Sequence, residues 1–245
     1  MVIVFAVSTW CFFTLPLVPV LKFLRSRGIQ VIELWCDRSH LDPFMSPIEA
    51  MRRVVEITRE LGIEIRSLHI PCEVRIRDMN RLLVFLDEMS KLGSLTYIIL
   101  HPQSDIEVMK RLAEEVHSRG IRILLENSME FGDLNELLNL VKLCGLDGLC
   151  LDLGHLLIHY GVIHVAKAFK YMNQVKTIHL HDNDSMLDLH LMVGSGVFPY
   201  HVLCELVKEF NPQDVVTEVY YGYYGDDPST LVDKVKRFCY SIGMV

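Results

Sequence analysis

Gly120-Ile121-Arg122-Ile123-Leu124-Leu125-Glu126 is the stretch from which the fold can be read. A glycine supplies the left-handed residue that ends a helix. The run after it, Ile121–Glu126, is short, rich in Ile and Leu, and has little polar alternation. That is the pattern of a strand buried on both faces of a parallel sheet. The same joint occurs upstream as Gly28-Ile29-Gln30-Val31 and Gly62-Ile63-Glu64-Ile65.

Working outward, similar apolar runs cover Val2–Val7, Gln30–Leu34, Ile63–His69, Leu95–His101, Ile121–Glu126, Gly148–Asp152, Val175–His181 and Asp214–Val219. Helical stretches lie between them. Ser46-Pro47-Ile48-Glu49 and Ser104-Asp105-Ile106-Glu107 have the capping-box form, with Pro47 at a first helical position. Gly28, Gly62, Gly93, Gly120, Gly145 and Gly243 are placed to close helices. Strand starts recur about every 30 residues, the span of one βα unit. Eight units without a linker or a composition break predict an α/β fold, a single (β/α)8 TIM barrel over residues 1–245. An open doubly wound sheet has less support, because no Gly-x-Gly-x-x-Gly loop follows the first run.

Composition narrows the function classes. The 245 residues are 51% hydrophobic, enough for a full core, so disorder is excluded. A formal net charge of −7 removes the long-range field that draws proteins to nucleic acid. Seven scattered cysteines, with no Cys-x-x-Cys pair, read as reduced and mostly core, which fits a cytoplasmic protein. Residues 1–21 carry no charged side chain, yet Ser8, Thr9, Thr14, Pro16 and Pro19 interrupt them. They are expected to form a buried strand, a turn and the start of a helix, not a membrane span.

In such a barrel chemistry sits at the C-terminal strand ends. Six runs finish on metal-ligand types: His69, His101, Glu126, Asp152 (with His155 three residues on), His179-Leu-His181-Asp182, and Glu218. The loop after the seventh adds Asp188 and His190. Each alone is more simply a hydrogen-bonded core histidine or a helix cap. Together they predict a metal site, since burying so many polar groups in one barrel mouth is costly without a cation. Glu126, Asp152, His179 and Glu218 form an oxygen-rich set that suits Mn2+, Mg2+ or Co2+, whereas His69, His101, His155 and His190 pull toward Zn2+. Nine candidates exceed one ion's shell, so the expectation is one to three divalent ions.

Trp10, Phe12 and Phe13, then Trp35, then Tyr220, Tyr221, Tyr223 and Tyr224 follow strand ends. They are read as an aromatic wall for a sugar ring or a base, or as packing of loops onto the rim. Arg75 and Arg77 are placed to meet a substrate phosphate, or to form a solvated face. Cys72 is a weaker ligand candidate, and Cys150 is expected beneath Asp152. His40 lies too far past its strand end for the metal set. His117, His159, His164 and His201 read as helix or loop residues.

The set Glu126-Asn127, Asp152-Leu-Gly-His155, His179-Leu-His-Asp182, Asp188-Leu-His190, Gly194-Ser-Gly196 and Glu218 resembles the xylose-isomerase-like TIM-barrel superfamily through nearly the whole chain. That superfamily joins sugar phosphate isomerases and epimerases to endonuclease IV (AP endonuclease family 2). Its isomerase branch implies one ion on Glu126, Asp152, His179 and Glu218, with Glu126 and Glu218 also moving protons. His155, His181 and Asp182 would then orient a small sugar or sugar phosphate. The endonuclease branch implies three zinc ions on nine ligands, here His69, His101, Glu126, Asp152, His155, His179, Asp188, His190 and Glu218, with abasic DNA as substrate. A DNA-binding rim needs several Lys or Arg. The predicted mouth loops offer only Arg38, Arg75, Arg77 and Arg81. The isomerase or epimerase reading is therefore preferred.

Overall fold

The computed structural model describes residues 3–70, 73–224 and 228–241. Eight strands close into a barrel in sequence order: β1 (Val4–Ser8), β2 (Val31–Trp35), β3 (Glu64–Ile70), β4 (Tyr97–Leu100), β5 (Arg122–Glu126), β6 (Gly148–Asp152), β7 (Val175–Leu180) and β8 (Asp214–Thr217). Every neighbouring pair is parallel, and β8 returns beside β1. The helices are α1 (Leu17–Ser26), α2 (Ile48–Leu61), α3 (Met79–Ser90), α4 (Ile106–His117), α5 (Leu134–Cys144), α6 (Leu153–His164), α7 (Tyr200–Phe210) and α8 (Pro228–Ser241). Each predicted run overlaps one observed strand, and β1, β2 and β3 extend one residue past it. The uncharged N-terminal segment supplies β1, a short turn and the first part of α1. Among the described residues no helix is long and apolar enough to cross a membrane.

The helix ends show why the chain breaks where it does. Gly62 and Gly145 adopt φ of 62° and 68° and close α2 and α5 in the left-handed conformation. Gly243, expected to do the same, lies outside the described residues. The two capping boxes need correction. At α2 no side chain caps the helix, and Pro47 is the residue before its first turn. At α4 the cap is Asp105, whose carboxylate accepts from the N–H of Glu107 and Val108. Ser104 instead gives its hydroxyl to Glu73. An ionised carboxylate at a helix N-terminus gains from the dipole as well as the hydrogen bonds, which explains why it displaces the serine.

The core has two shells. A large one lies between strands and helices, where Ile32, Leu34, Leu68, Leu100, Ile123, Leu125, Leu151 and Ile178 face Leu21, Met51, Leu86 and Leu112. A small one fills the barrel interior, made of Tyr97, Ile99, Leu124 and Cys150. Side chains alternate along a strand. Stepping two residues at a time from Tyr97 through Ile99 reaches His101, from Leu124 reaches Glu126, and from Cys150 reaches Asp152. Strand alternation above the apolar plug thus puts His101, Glu126 and Asp152 on the inward face, at the C-terminal end. At the opposite end Arg66 pairs with Asp214 at 3.0 Å, and Arg122 lies 4.4 Å over the Tyr97 ring.

Candidate active site

The predicted donors do converge. Glu126, Asp152, His179 and Glu218 each offer a ligand atom, and those atoms lie within 4.8 Å of one another. His69, His101 and Glu126 make a second such group, and His155, His181, Asp188 and His190 a third. Glu126 belongs to the first two. His69 Nε2 is 3.0 Å from Glu126 Oε2, and His179 Nδ1 is 3.3 Å from Oε1 and 3.5 Å from Glu218 Oε2. Glu126, Asp152, His179 and Glu218 are all at most 2% exposed.

This many buried polar atoms require partners. Among the described residues, both Glu126 oxygens, Glu218 Oε1, His69 Nδ1, His179 Nδ1 and His181 Nδ1 have no hydrogen-bond partner. Orphaned donors and acceptors gathered into such close groups are what divalent cations satisfy. The oxygen-rich first set and the histidine-rich third set both fit such a group by ligand type.

The electrostatics follow. Burial works against a charged His69, but the Glu126 and Glu218 carboxylates outweigh it and lift the imidazole to about 9. For His155 burial is likewise overcome, here by Asp152, Asp188 and Glu126, and the value rises to about 10. Burial would raise the carboxyls of Glu126 and Glu218, yet His179 and His69 hold both well below the usual carboxylate range. Burial also opposes ionised Asp188, which His155 and His190 keep far below its ordinary value.

A cavity of 490 Å3 opens above the donors. Its floor carries His69, His101, Glu126, His155, Asp188, His190 and Glu218, and its wall Trp10, Phe13, Trp35, Tyr220 and Tyr223. Trp10 stacks on His190 with ring centroids 3.9 Å apart, and His190 stacks in turn on His181 at 3.9 Å. No Lys or Arg lines the cavity among the described residues. The sequence between the described segments, Pro71-Cys72 and Gly225-Asp226-Asp227, contains none either.

Three expected substrate contacts sit elsewhere. Arg75 is exposed, pairs with Asp78 at 3.2 Å, and borders a separate surface groove with Arg38 and Arg77. Asp182 is fully buried, and its two oxygens accept the N–H groups of Asn183, Gly194, Gly196 and Phe198. It therefore holds the loop that carries Asp188 and His190. His181 donates from Nε2 to Asp152 at 3.0 Å, behind the cavity wall. Cys72 lies outside the described residues. Cys150 is buried in the plug next to Glu126 and His179. His40 bridges Thr9 Oγ1 and the Leu15 carbonyl, away from the cavity.

The residue that the strand-end reading missed is Glu33 on β2. It is fully buried beside His69 and His179. The signal was available: Glu33 precedes Trp35 by two, so it shares the inward face.

Gly154 is the second residue of α6, where a Cβ would come within 1.9 Å of His181 Cε1. Gly154→Ala is expected to displace that ring and cost about 1–3 kcal/mol of stability by overpacking. A thermal melt checks it, and an unchanged melting temperature overturns the argument.

Comparison with known proteins gives the same architecture. No curated protein sequence matches the chain. Among solved structures, a xylose isomerase domain containing protein from Salmonella typhimurium LT2 superposes with a TM-score of 0.74 at 14% identity, covering 97% of this chain and 96% of that one. A D-tagatose 3-epimerase-like protein gives 0.72 at 19%, covering 98% of each. A sugar phosphate isomerase/epimerase from Parabacteroides distasonis gives 0.68 at 15%, covering 98% of this chain and 94% of that one. At these identities the likeness establishes the fold, a closed parallel barrel with helices between the strands. The family model described as xylose isomerase-like TIM barrel matches residues 21–240, nearly the whole chain, and the chain belongs to that family.

Proposed function

We propose that the chain is a divalent-metal-dependent isomerase or epimerase that moves a proton next to the carbonyl of a sugar or sugar phosphate. One observation carries this reading. Two buried, ionised carboxylates, Glu126 and Glu218, share a donor set with Asp152 and His179 under an aromatic cavity that no Lys or Arg lines among the described residues. A cavity of 490 Å3 suits a monosaccharide. Neighbours whose names are epimerase and isomerase are consistent with it, as analogy of fold.

The four donors would hold Mn2+ or Zn2+, and a bound ion supplies Lewis acidity toward carbonyl and hydroxyl oxygens. The rest falls to the chain. Glu126 and Glu218 stay ionised at neutral pH, and either can take a carbon-bound proton while its partner returns one. His155 reaches the cavity beside Asp188 and can donate to a sugar hydroxyl. Trp10, held flat by its stack on His190, offers a face for the sugar ring. The aromatic wall also limits water around the reacting carbon.

A second reading has its own support. Three donor groups together contain all nine ligands expected of an endonuclease IV-type zinc-dependent abasic-site endonuclease. Phosphodiester chemistry on a duplex, however, needs cations along the rim. The test is one experiment with two arms. Metal-loaded protein is incubated in D2O with a panel of ketoses and ketose phosphates, and separately with an abasic duplex. The expected result is deuterium beside the carbonyl and an epimer or aldose product, both lost on chelation, with the duplex intact. Metal-dependent cleavage of the duplex, without exchange into any sugar, would replace the isomerase reading with the nuclease.

A further inference from the structure

Glu33 has no part in the chemistry proposed above. It stands in β2 with no exposed surface, where the β2–β3 register shifts between Ile32 and Glu33. Such an irregularity re-aims a side chain, here into the barrel interior. Ser67 Oγ donates to Glu33 Oε2 at 2.7 Å and holds the carboxylate from β3. His179 Nε2 lies 3.3 Å from Oε2 and 3.2 Å from Oε1. The other nitrogen of that ring, Nδ1, is the one that faces Glu126 and Glu218.

An imidazole that binds a metal through one nitrogen carries its proton on the other, and that N–H needs an acceptor to fix the tautomer and the ring. The interior around it offers little else, since Ile99, Leu124 and Cys150 fill the layer. A residue there only to fill space would be apolar, because a carboxylate buried without a task is costly.

We infer that Glu33 is a positioning residue: it accepts the Nε2–H of His179 and so commits Nδ1 to the ion held with Glu126, Asp152 and Glu218. The inference rests on the metal-dependent reading. The competing arrangement is Glu33 as a direct ligand, since its carboxylate also groups with His69, His179 and Glu218 within 4.8 Å.

The test uses the full chain and Co2+ alone, followed by visible absorption. Glu33→Gln keeps the shape but replaces one acceptor oxygen by a donor. It is expected to weaken Co2+ binding by about 10–100-fold and to shift the d–d bands, without lowering the melting temperature of the metal-free chain. Ser67→Ala, which leaves Glu33 in place but unsupported, should show a smaller loss in the same direction. With Zn2+ bound, the histidine 15N–1H spectrum should place the His179 proton on Nε2. Unchanged Co2+ affinity and bands in a folded Glu33→Gln chain overturn the inference, as does a His179 bound through Nε2. If Glu33→Gln does not fold, Ser67→Ala and the 15N spectrum decide. Glu126→Gln separates the two levels. If it too leaves Co2+ binding intact, the metal site itself falls; if it lowers Co2+ affinity and Glu33→Gln leaves affinity and bands unchanged, only the role of Glu33 falls.

Discussion

Glu126→Gln is expected to leave the barrel folded while lowering metal affinity at least about 100-fold and turnover about 1000-fold or more. The change is isosteric, so the plug of Tyr97, Ile99, Leu124 and Cys150 beneath it keeps its packing. What it removes is a charge and one acceptor. Glu126 faces His69 and His101 with Oε2 and His179 and His155 with Oε1. A glutamine serves one side with its oxygen and presents N–H groups to the other. The two donor groups that share this residue are both damaged, so the effect is the same whether the site takes one ion or more. Metal content after dialysis, circular dichroism and turnover on the sugar panel are the measurements. A folded variant with full metal content and full turnover would remove the basis of the whole site assignment.

The barrel was legible because the units of β3 to β6 repeat the same physical sentence: a glycine just past a helix, an apolar run, a polar residue. Gly120 to Glu126 states it, and β5 (Arg122–Glu126) obeys it to within a residue. The strand-end donors were legible for the same reason, since period-two alternation puts Glu126 and Asp152 on the face that Leu124 and Cys150 fill. Glu33 follows the same rule but sits mid-strand, not at a strand end, and so escaped a reading of ends alone. Asp182 could not be placed from sequence. Its role depends on Gly194, Gly196 and Phe198 folding their N–H groups back over it, a long-range loop geometry with no local pattern. The stack of Trp10, His190 and His181 joins the β1 loop to the region after β7 and is equally invisible in one dimension. Ser104 was misread because two adjacent residues can cap, and the charged one, Asp105, wins.

Metal uptake near pH 7 is expected to release more than one proton per chain, and the apparent affinity should climb by tenfold or more per pH unit until about pH 9 to 10. In the metal-free chain His69 and His155 are lifted to about 9 and about 10, so both rings are imidazolium at neutral pH, facing ionised Glu126, Glu218 and Asp188. A metal takes only the neutral ring, so the ligand His179, itself raised well above the ordinary imidazole value, gives up a proton on binding, and the cation held by Glu126 weakens the hold of the neighbouring His69 and His155 on theirs. Titration calorimetry at pH 7 in buffers of different ionisation enthalpy counts them, and a count of zero would overturn the charge state deduced here. The same shifts set the stability of the metal-free chain. The histidine values are raised, so their contribution is complete below the ordinary imidazole value of about 6.5 and is lost as pH rises through 9 to 10. The carboxylate values are lowered, so theirs is complete above the ordinary carboxylate range and is lost on acidification. Melting temperature without metal should therefore peak between about pH 5 and 7 and fall on both sides. With metal present the alkaline fall should vanish, because the ion replaces the protons as the neutralising charge among Glu126, Asp152 and Glu218. The acid fall should steepen, because protonation then expels the ion as well as breaking the ion pairs. A cation-free barrel that merely buried these groups would show the first curve with or without metal, and that comparison separates a metal centre from a polar core.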